Sequence, residues 1–368
     1  MLTLTKGEID MKRRLAFLLL TAVLMMNIIG CVSKNISENK NISPNIMQPT
    51  SIQPSVTNSP IQNTTEQRPD NSESITPKEN IRFIVLADSR GIDNGVNSEI
   101  VKKILNEVKM LSPQPEFAIM PGDLTDGSKS YSEIKSQLGY FKEIVTQFYP
   151  VLFFYPGIGN HEMRAGENGE KAFSETFSEF SANFLEGYNK TSYYFDVGDI
   201  RLFMLNSNHP GEKHKITGEQ LDWLKANIDQ DKKYNIFLLH EPPYPTGAEE
   251  GNSLDAYPVS RDAFWEVVDD TTNPIVICGH EHNYSRRLVD NSFNEKISGK
   301  NFEFNKGVFQ IITGGFGAPL YTQYSSKKNI VIPPVPQYHY TIVDINDSGV
   351  SIQAVNIDGK IIDSFQVK

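Results

Sequence analysis

The chain has 368 residues, of which 39% are hydrophobic and 22% charged, so it is long enough for one large domain or two ordinary ones with a substantial core. Its 45 acidic and 35 basic residues give a net charge of -10, which disfavours a nucleic-acid backbone as partner. A small anion would bind only where local cations, such as metal ions, concentrate.

The N-terminal segment has the layout of a secretory signal peptide. Basic residues at 12–14 precede an apolar run over 15–29, which Gly30 and Cys31 follow. The ending IIGC resembles the lipobox of bacterial lipoproteins, which implies cleavage before Cys31 and acylation of its thiol. We therefore expect residues 1–31 to be a signal peptide, and the mature protein to be an extracytoplasmic lipoprotein anchored to the bacterial membrane through Cys31. An ordinary signal peptide or an N-terminal transmembrane helix is the alternative.

The next segment, residues 32–80, is rich in Asn, Ser, Thr, Pro and Gln and has no sustained helical or strand period. Such a composition cannot bury enough apolar area to offset chain entropy, so it predicts a disordered polar tether.

The remainder of the chain alternates strand-like and helical patterns. Strands are predicted, in chain order, at 81–87, 117–120, 151–155, 200–205, 236–239 and 275–278, and helices at 97–110, 131–148 and 218–228. Two later runs, 338–345 and 350–356, are typical of antiparallel strands joined by a turn. The pattern therefore predicts an α/β fold whose sheets are mixed.

Several predicted strands end in polar residues of similar chemistry. These residues are Asp88 in LADSRG, Asp123 and Asp126 in PGDLTDG, Asn160 and His161 in PGIGNHE, His240 in FLLHEPP, and His280 and His282 in CGHEH. Because loops beyond the carboxyl ends of strands line the ligand crevice of an open α/β sheet, we expect these side chains to converge. This mixture of carboxylate, amide and imidazole ligands suits Zn, Mn, Fe or Ni better than it suits Ca, which prefers ligands that are all oxygen.

The ordered motifs GD, GNHE, H and GHEH resemble those of the calcineurin-like metallophosphoesterases. Flanking stretches such as TSYYFDVGDIRLFMLNS and GHEHNYSRR are similar to the purple acid phosphatase-like branch. The resemblance covers residues 81–368 and implies one domain with an α/β (α+β mixed) fold, a four-layer sandwich of two mixed β-sheets flanked by helices. It also implies hydrolysis of a phosphoric monoester or diester by a metal-bound hydroxide.

By position, the resemblance implies six metal ligands and two metal ions. Asp123 would bridge the ions, Asn160, His240 and His280 would complete what we call the second site, and Asp88 and His282 would build the first site. His161 would be the protonated general acid, with Asp126 orienting its ring.

The first site departs from the family pattern at two positions. The usual Asp-x-His motif, whose His is a further ligand, ends here in Arg90, and Asp126 stands where purple acid phosphatases have a liganding Tyr. Arg90 cannot bind a cation, but its guanidinium could hold a phosphoryl oxygen and take part in catalysis. Alternatively, the first site is weakly occupied, or completed by water or another side chain.

A metal-poor descendant that binds a phosphorylated ligand or a surface partner without turnover is the alternative function. The expected partners are a small phosphorylated substrate and the membrane, through Cys31, with no nucleic acid, and the expected state is a monomer. Glu281, between the two histidines of GHEH, is expected to be solvated.

Overall fold

The structure is a computed structural model that describes residues 80–150, 153–293 and 304–367. The predicted signal peptide, its Cys31 and the predicted tether, except Asn80, lie outside these residues. Among the helices of the described ranges, none is both long and apolar enough to cross a membrane.

The first and last parts of the described chain form a six-stranded sheet. Its strands are β1 (Asn80–Val85), β3 (Phe117–Met120), β4 (Phe154–Pro156), β13 (His339–Asn346), β14 (Gly349–Asn356) and β15 (Ile361–Val367), in the order β15-β14-β13-β1-β3-β4. β1, β3 and β4 are parallel to one another. β13 pairs antiparallel with β1, β14 with β13, and β15 with β14. The sheet is therefore mixed, with its parallel half made by the N-terminal strands.

The middle of the chain forms an eight-stranded sheet. Its strands are β5 (Asn183–Phe184), β6 (Tyr193–Val197), β7 (Ile200–Leu205), β8 (Tyr234–Leu239), β9 (Pro274–Cys278), β10 (Tyr284–Val289), β11 (Val308–Thr313) and β12 (Ile330–Val335), in the order β12-β10-β11-β9-β8-β7-β6-β5. β7, β8, β9 and β11 are parallel and the outer strands antiparallel. A short strand, β2 (Arg90–Asp93), lies outside both sheets.

Five α-helices accompany the sheets in the described residues. They are α1 (Ser98–Lys109), α2 (Tyr131–Thr146), α3 (Glu167–Thr176), α4 (Gly218–Asn227) and α5 (Pro258–Asp270). The Asn97 side chain accepts a hydrogen bond from the Ile100 N–H and so caps α1, as the residue preference at this position predicts.

Side-chain alternation along the eight-stranded sheet separates two hydrophobic cores. On β7, Leu202 and Met204 join a core shared with the six-stranded sheet and α1–α3. Phe203 and Leu205 face the opposite way, into a core with α4 and α5. Because successive strand residues point to opposite faces, one apolar run can serve both layers. The predicted architecture of two mixed sheets flanked by helices is confirmed.

Candidate metal centre

The candidate ligands lie where parallel strands of the two sheets end. Asp88 follows β1, Asp123 follows β3, Asn160 follows β4, His240 follows β8, and His280 and His282 follow β9. Within each sheet, main-chain hydrogen bonds join neighbouring loops there, from Ser89 N–H to Asp123 O at 2.9 Å in one sheet and from Gly279 N–H to His240 O at 3.0 Å in the other.

Three of these residues adopt left-handed backbone conformations, with φ of 66° at Asp88, 50° at Asp123 and 71° at His280. Such angles are uncommon outside glycine and persist only where the surroundings enforce them. The loops also approach closely: a Cβ added at Gly279 would lie 2.5 Å from Asp88 Oδ2. The glycine of the GHEH motif is therefore required for the two loops to meet.

The four residues of the second site, Asp123, Asn160, His240 and His280, are brought together around one ring nitrogen. His240 Nε2 lies 3.0 Å from Asn160 Oδ1, 3.2 Å from Asp123 Oδ1 and 3.1 Å from His280 Nδ1. Asp123, His240 and His280 are buried.

The outer nitrogens of the two rings fix their tautomers. His240 Nδ1 lies 3.1 Å from the Pro121 carbonyl and His280 Nε2 lies 3.1 Å from the Asn252 carbonyl, so each of these nitrogens carries the proton of the neutral ring. His240 Nε2 and His280 Nδ1 then present lone pairs to each other and to the two oxygens. With both rings neutral, four acceptor atoms thus converge with no proton among them, an arrangement that a divalent cation fits and stabilises.

The electrostatics of this cluster also call for positive charge. Burial alone would raise the pKa of Asp123, but the His240 and His161 rings and Arg90 hold it well below its usual value. Burial alone would lower the pKa of His240, but Asp123 and Asp88 raise it to about 10. The buried carboxylates therefore draw a proton onto His240, and a metal ion would take that proton's place.

The first-site residues Asp88 and His282 also lie side by side. Asp88 Oδ2 accepts the His280 N–H at 2.9 Å, whereas its Oδ1 is buried without a hydrogen-bond partner in the described residues. Ligand atoms of Asp88, Asp123 and His240 lie within 4.8 Å of one another. Asp88 Oδ1 lies 3.5 Å from His282 Nε2 and so adds negative charge on this side of Asp123.

Arg90 lies among the first-site residues. Its Nη2 is 3.4 Å from His282 Nε2 and 3.0 Å from the Tyr321 hydroxyl, and its Nε is 3.8 Å from Asp123 Oδ2. The Tyr321 ring stacks on the His282 ring with centroids 4.1 Å apart. Tyr321 was not predicted as a site residue, because it belongs to an irregular segment between β11 and β12 without helical or strand periodicity.

His161 lies at the edge of both sites. Its Nδ1 is 2.7 Å from the main-chain carbonyl of Asp126 and 3.4 Å from that residue's carboxylate Oδ1. Its Nε2 is 3.2 Å from Arg164 Nη2 and 3.8 Å from Asp123 Oδ2. The nearest group that orients the ring is thus the Asp126 carbonyl rather than its carboxylate. Burial lowers the pKa of His161, and Arg90 and Arg164 act in the same direction against Asp123.

The expectation that Glu281 is solvated is wrong. The side chain is buried and accepts the N–H groups of Thr246 and Gly247, each at 2.7 Å, because the loop after β8 folds over it. The same loop carries Asn252, whose carbonyl faces His280. Glu281 therefore holds in place the loop whose Asn252 carbonyl supports the candidate ligand His280.

Glu162 has a comparable role between two motifs. Its buried carboxylate accepts the Gly159 N–H at 2.9 Å and the Thr125 N–H at 2.8 Å, which ties the GNHE loop to the GD loop. Burial, followed by the charge of Asp123, raises the pKa of Glu162 to about 8.

Comparison with known proteins identifies the family and the fold. The model of the calcineurin-like phosphoesterase family matches residues 81–284, more than half of the chain, so the chain belongs to this family. An uncharacterized protein of Mycobacterium tuberculosis is 23% identical over 218 residues, which are 55% of this chain and 40% of that protein. The purple acid phosphatase PPD1 from yellow lupin seeds has the same fold, with a TM-score of 0.60 and 18% identity over 78% of this chain and 53% of the lupin chain. The chain thus spans 40% of the matched curated relative.

Proposed function

We propose that the protein hydrolyses phosphoric esters with a metal ion held by Asp123, Asn160, His240 and His280. The observation that carries the proposal is the convergence of four acceptor atoms, 3.0 to 3.2 Å from atom to atom around His240 Nε2, with no proton among them in the neutral tautomers. Iron, manganese, zinc and nickel suit this mixture of oxygen and nitrogen ligands. Such an ion, when bound, makes water nucleophilic at neutral pH and polarises phosphoryl oxygens.

His161 is the proposed general acid. The Asp126 carbonyl fixes Nδ1 as the protonated nitrogen, so Nε2, near Asp123 and Arg164, is the atom that gains and gives a proton. The lowered pKa means that the free protein holds this ring neutral. An anionic phosphate beside Nε2 raises that pKa and offers Arg164 a better acceptor. Substrate binding would therefore supply the protonated form that the leaving oxygen needs.

The surface beside the second site supports a small anionic substrate. A cavity of about 390 Å³ adjoins Asn160 and is lined by Arg164, His209 and Lys213, among others. Its cationic groups can hold a phosphorylated molecule in an otherwise acidic protein. Monoesters and diesters present the same oxygens to this site, so both remain candidate substrates.

The proposal for location and assembly rests on the sequence alone. We propose a monomer anchored outside the cytoplasm through acylated Cys31. Replacing Cys31 by Ser should move the protein from the membrane fraction to the soluble fraction, and retention at the membrane would contradict the anchor.

The second candidate function is phosphate-ligand binding without turnover, and the position of Arg90 within the first site favours it. Chelator-treated protein, reconstituted separately with Mn, Zn, Fe and Ni, should be assayed on nitrophenyl phosphate and bis-nitrophenyl phosphate. We expect metal-dependent hydrolysis of at least one ester, lost in His280→Ala. The matched control is His214→Ala, a histidine whose Nδ1 lies 2.9 Å from Glu241 Oε1 and which is not among the candidate ligands. Bound metal without hydrolysis of either ester would instead support the binding function.

A further inference from the structure

We infer that the Arg90 guanidinium takes the place of the first-site metal ion. The chain would then hold one metal ion, at the second site, with a permanent organic cation beside it. This inference rests on the metal-binding part of the proposed function, and it departs from the two ions that the family resemblance implies.

The first argument comes from the ring nitrogen that the first site needs. His282 Nδ1 lies 2.7 Å from the Pro319 carbonyl, so it carries the proton and leaves the only lone pair on Nε2. Arg90 Nη2 lies 3.4 Å from Nε2. A metal ion bound to Nε2 would sit about 2.0 to 2.1 Å from it along the same lone pair. Because an arginine does not give up its proton, the ion and the guanidinium compete for one position.

The second argument is that Arg90 is held in this position. Its side chain is only 17% exposed. Nη2 donates to the Tyr321 hydroxyl at 3.0 Å and Nη1 lies 3.5 Å from Asp126 Oδ1. Tyr321 in turn stacks on His282, so the guanidinium, the phenol and the imidazole form one packed unit. The placement is therefore built into the fold.

The third argument concerns the charges and the ligands that remain. Arg90 Nε lies 3.8 Å from Asp123 Oδ2 and its Nη1 lies 3.5 Å from Asp126 Oδ1, so the guanidinium already supplies positive charge to these carboxylates. A second divalent ion would lie next to a fixed positive charge, with fewer protein ligands than the second site has.

The inference also gives Arg90 a function. Its Nε is buried and has no hydrogen-bond partner in the part of the chain that the structure describes. That N–H has no accessible surface, but the side chain as a whole is 17% exposed, so other N–H groups of the guanidinium can give a phosphoryl oxygen a charge-assisted hydrogen bond. The guanidinium would thus hold a substrate oxygen where the family uses its first ion.

The test is a count of metal ions per chain. Full-length protein is loaded with excess Mn²⁺, freed of unbound metal and analysed by plasma mass spectrometry and electron paramagnetic resonance. We expect one ion and the hyperfine-split spectrum of an isolated Mn²⁺. Arg90→His, which restores the family's ligand, should bind two ions and give an exchange-coupled spectrum. The matched control is Arg82→His, at an arginine paired with Asp344 and with none of the candidate ligands, which should keep one ion.

The outcomes separate this inference from the proposed function. Two ions in the unmodified protein would overturn the inference and leave the proposed hydrolase intact, whereas no ion would overturn the proposed metal centre itself. A folded Arg90→His protein that still holds one ion would also overturn the inference, since its ligand set would be complete. If Arg90→His does not fold, the count in the unmodified protein still decides.

Discussion

The two halves of the candidate centre meet their need for positive charge in different ways. Around His240 Nε2, the side-chain atoms of Asn160, Asp123 and His280 at 3.0 to 3.2 Å are acceptors when the rings are neutral, so a proton or a metal ion must supply the positive charge. Around His282 Nε2, the chain itself supplies a guanidinium at 3.4 Å. The comparison teaches that ligand-type residues alone do not define a metal site, because one arginine can satisfy the same lone pair and the same carboxylates.

The largest effect should come from the residue that both halves share. Asp123 lies 3.2 Å from His240 Nε2 and 3.8 Å from Arg90 Nε. Asp123→Asn removes the charge that holds both cations, so we expect kcat/KM to fall about a thousandfold or more, together with loss of bound metal. Asp344→Asn, a control at a partly exposed ion pair with Arg82, should change neither. Normal metal content and activity in Asp123→Asn would contradict the shared-carboxylate arrangement.

The next effect separates proton transfer from metal binding. His161→Ala should lower turnover by about 10²- to 10⁴-fold, the usual contribution of a positioned general acid, while the metal content stays unchanged. The measurement pairs steady-state kinetics with metal analysis of the same sample. If the variant loses its metal, His161 is a ligand and the second site has a different membership.

A smaller effect is expected on the free energy of unfolding, through the buried ring of His339. The main-chain N–H of His339 donates to the carbonyl of Gly315, and the preceding residue, Gly314, packs against the Asp88 carboxylate. Burial lowers the pKa of His339 to about 4, against about 6.5 in the unfolded chain, so the folded protein needs the neutral ring. The stability that depends on the neutral His339 ring is fully present above pH 6.5 and is lost as the pH falls towards 4. The full loss is about 3 kcal/mol.

The measurement is urea unfolding at pH 7 and pH 5, compared between the unmodified protein and His339→Gln. The unmodified protein should lose about 2 kcal/mol more than the variant over this interval, because most of the titration has occurred by pH 5. An equal loss in both proteins would show that another group causes the acid sensitivity.

The smallest effect concerns the outer support of the second site. Glu281 accepts N–H groups from the loop that carries Asn252, and the Asn252 carbonyl fixes His280. Glu281→Gln removes the charge and one acceptor, so we expect Mn²⁺ affinity to fall about tenfold, as for other partners that orient a ligand. Titration of the unmodified protein and of the variant with Mn²⁺ measures this change in affinity. An unaltered affinity would mean that the loop needs no such support.

Much of this arrangement is readable in the sequence because residue type and strand position coincide. The apolar runs before Asp88, Asp123 and His240 predict strands, and the strands' carboxyl ends bring those side chains to one place. The alternation that places Phe203 and Met204 in different cores also follows from strand geometry.

The remainder depends on contacts that no local pattern encodes. Tyr321 reaches His282 from an irregular segment, and the burial of Glu281 depends on a loop that follows a different strand. The group nearest His161 Nδ1 is the main-chain carbonyl of Asp126. Every residue has such a carbonyl, so the sequence could not single it out, and the family motif pointed to the Asp126 carboxylate instead. These features are tertiary, and only the folded chain reveals them.

The most direct test is a crystal structure of Mn²⁺-loaded protein with anomalous scattering recorded at the manganese edge. The account predicts one anomalous peak, bound to Asp123, Asn160, His240 and His280, with the Arg90 guanidinium against His282. A peak between Asp88 and His282, with Arg90 turned away, would contradict it.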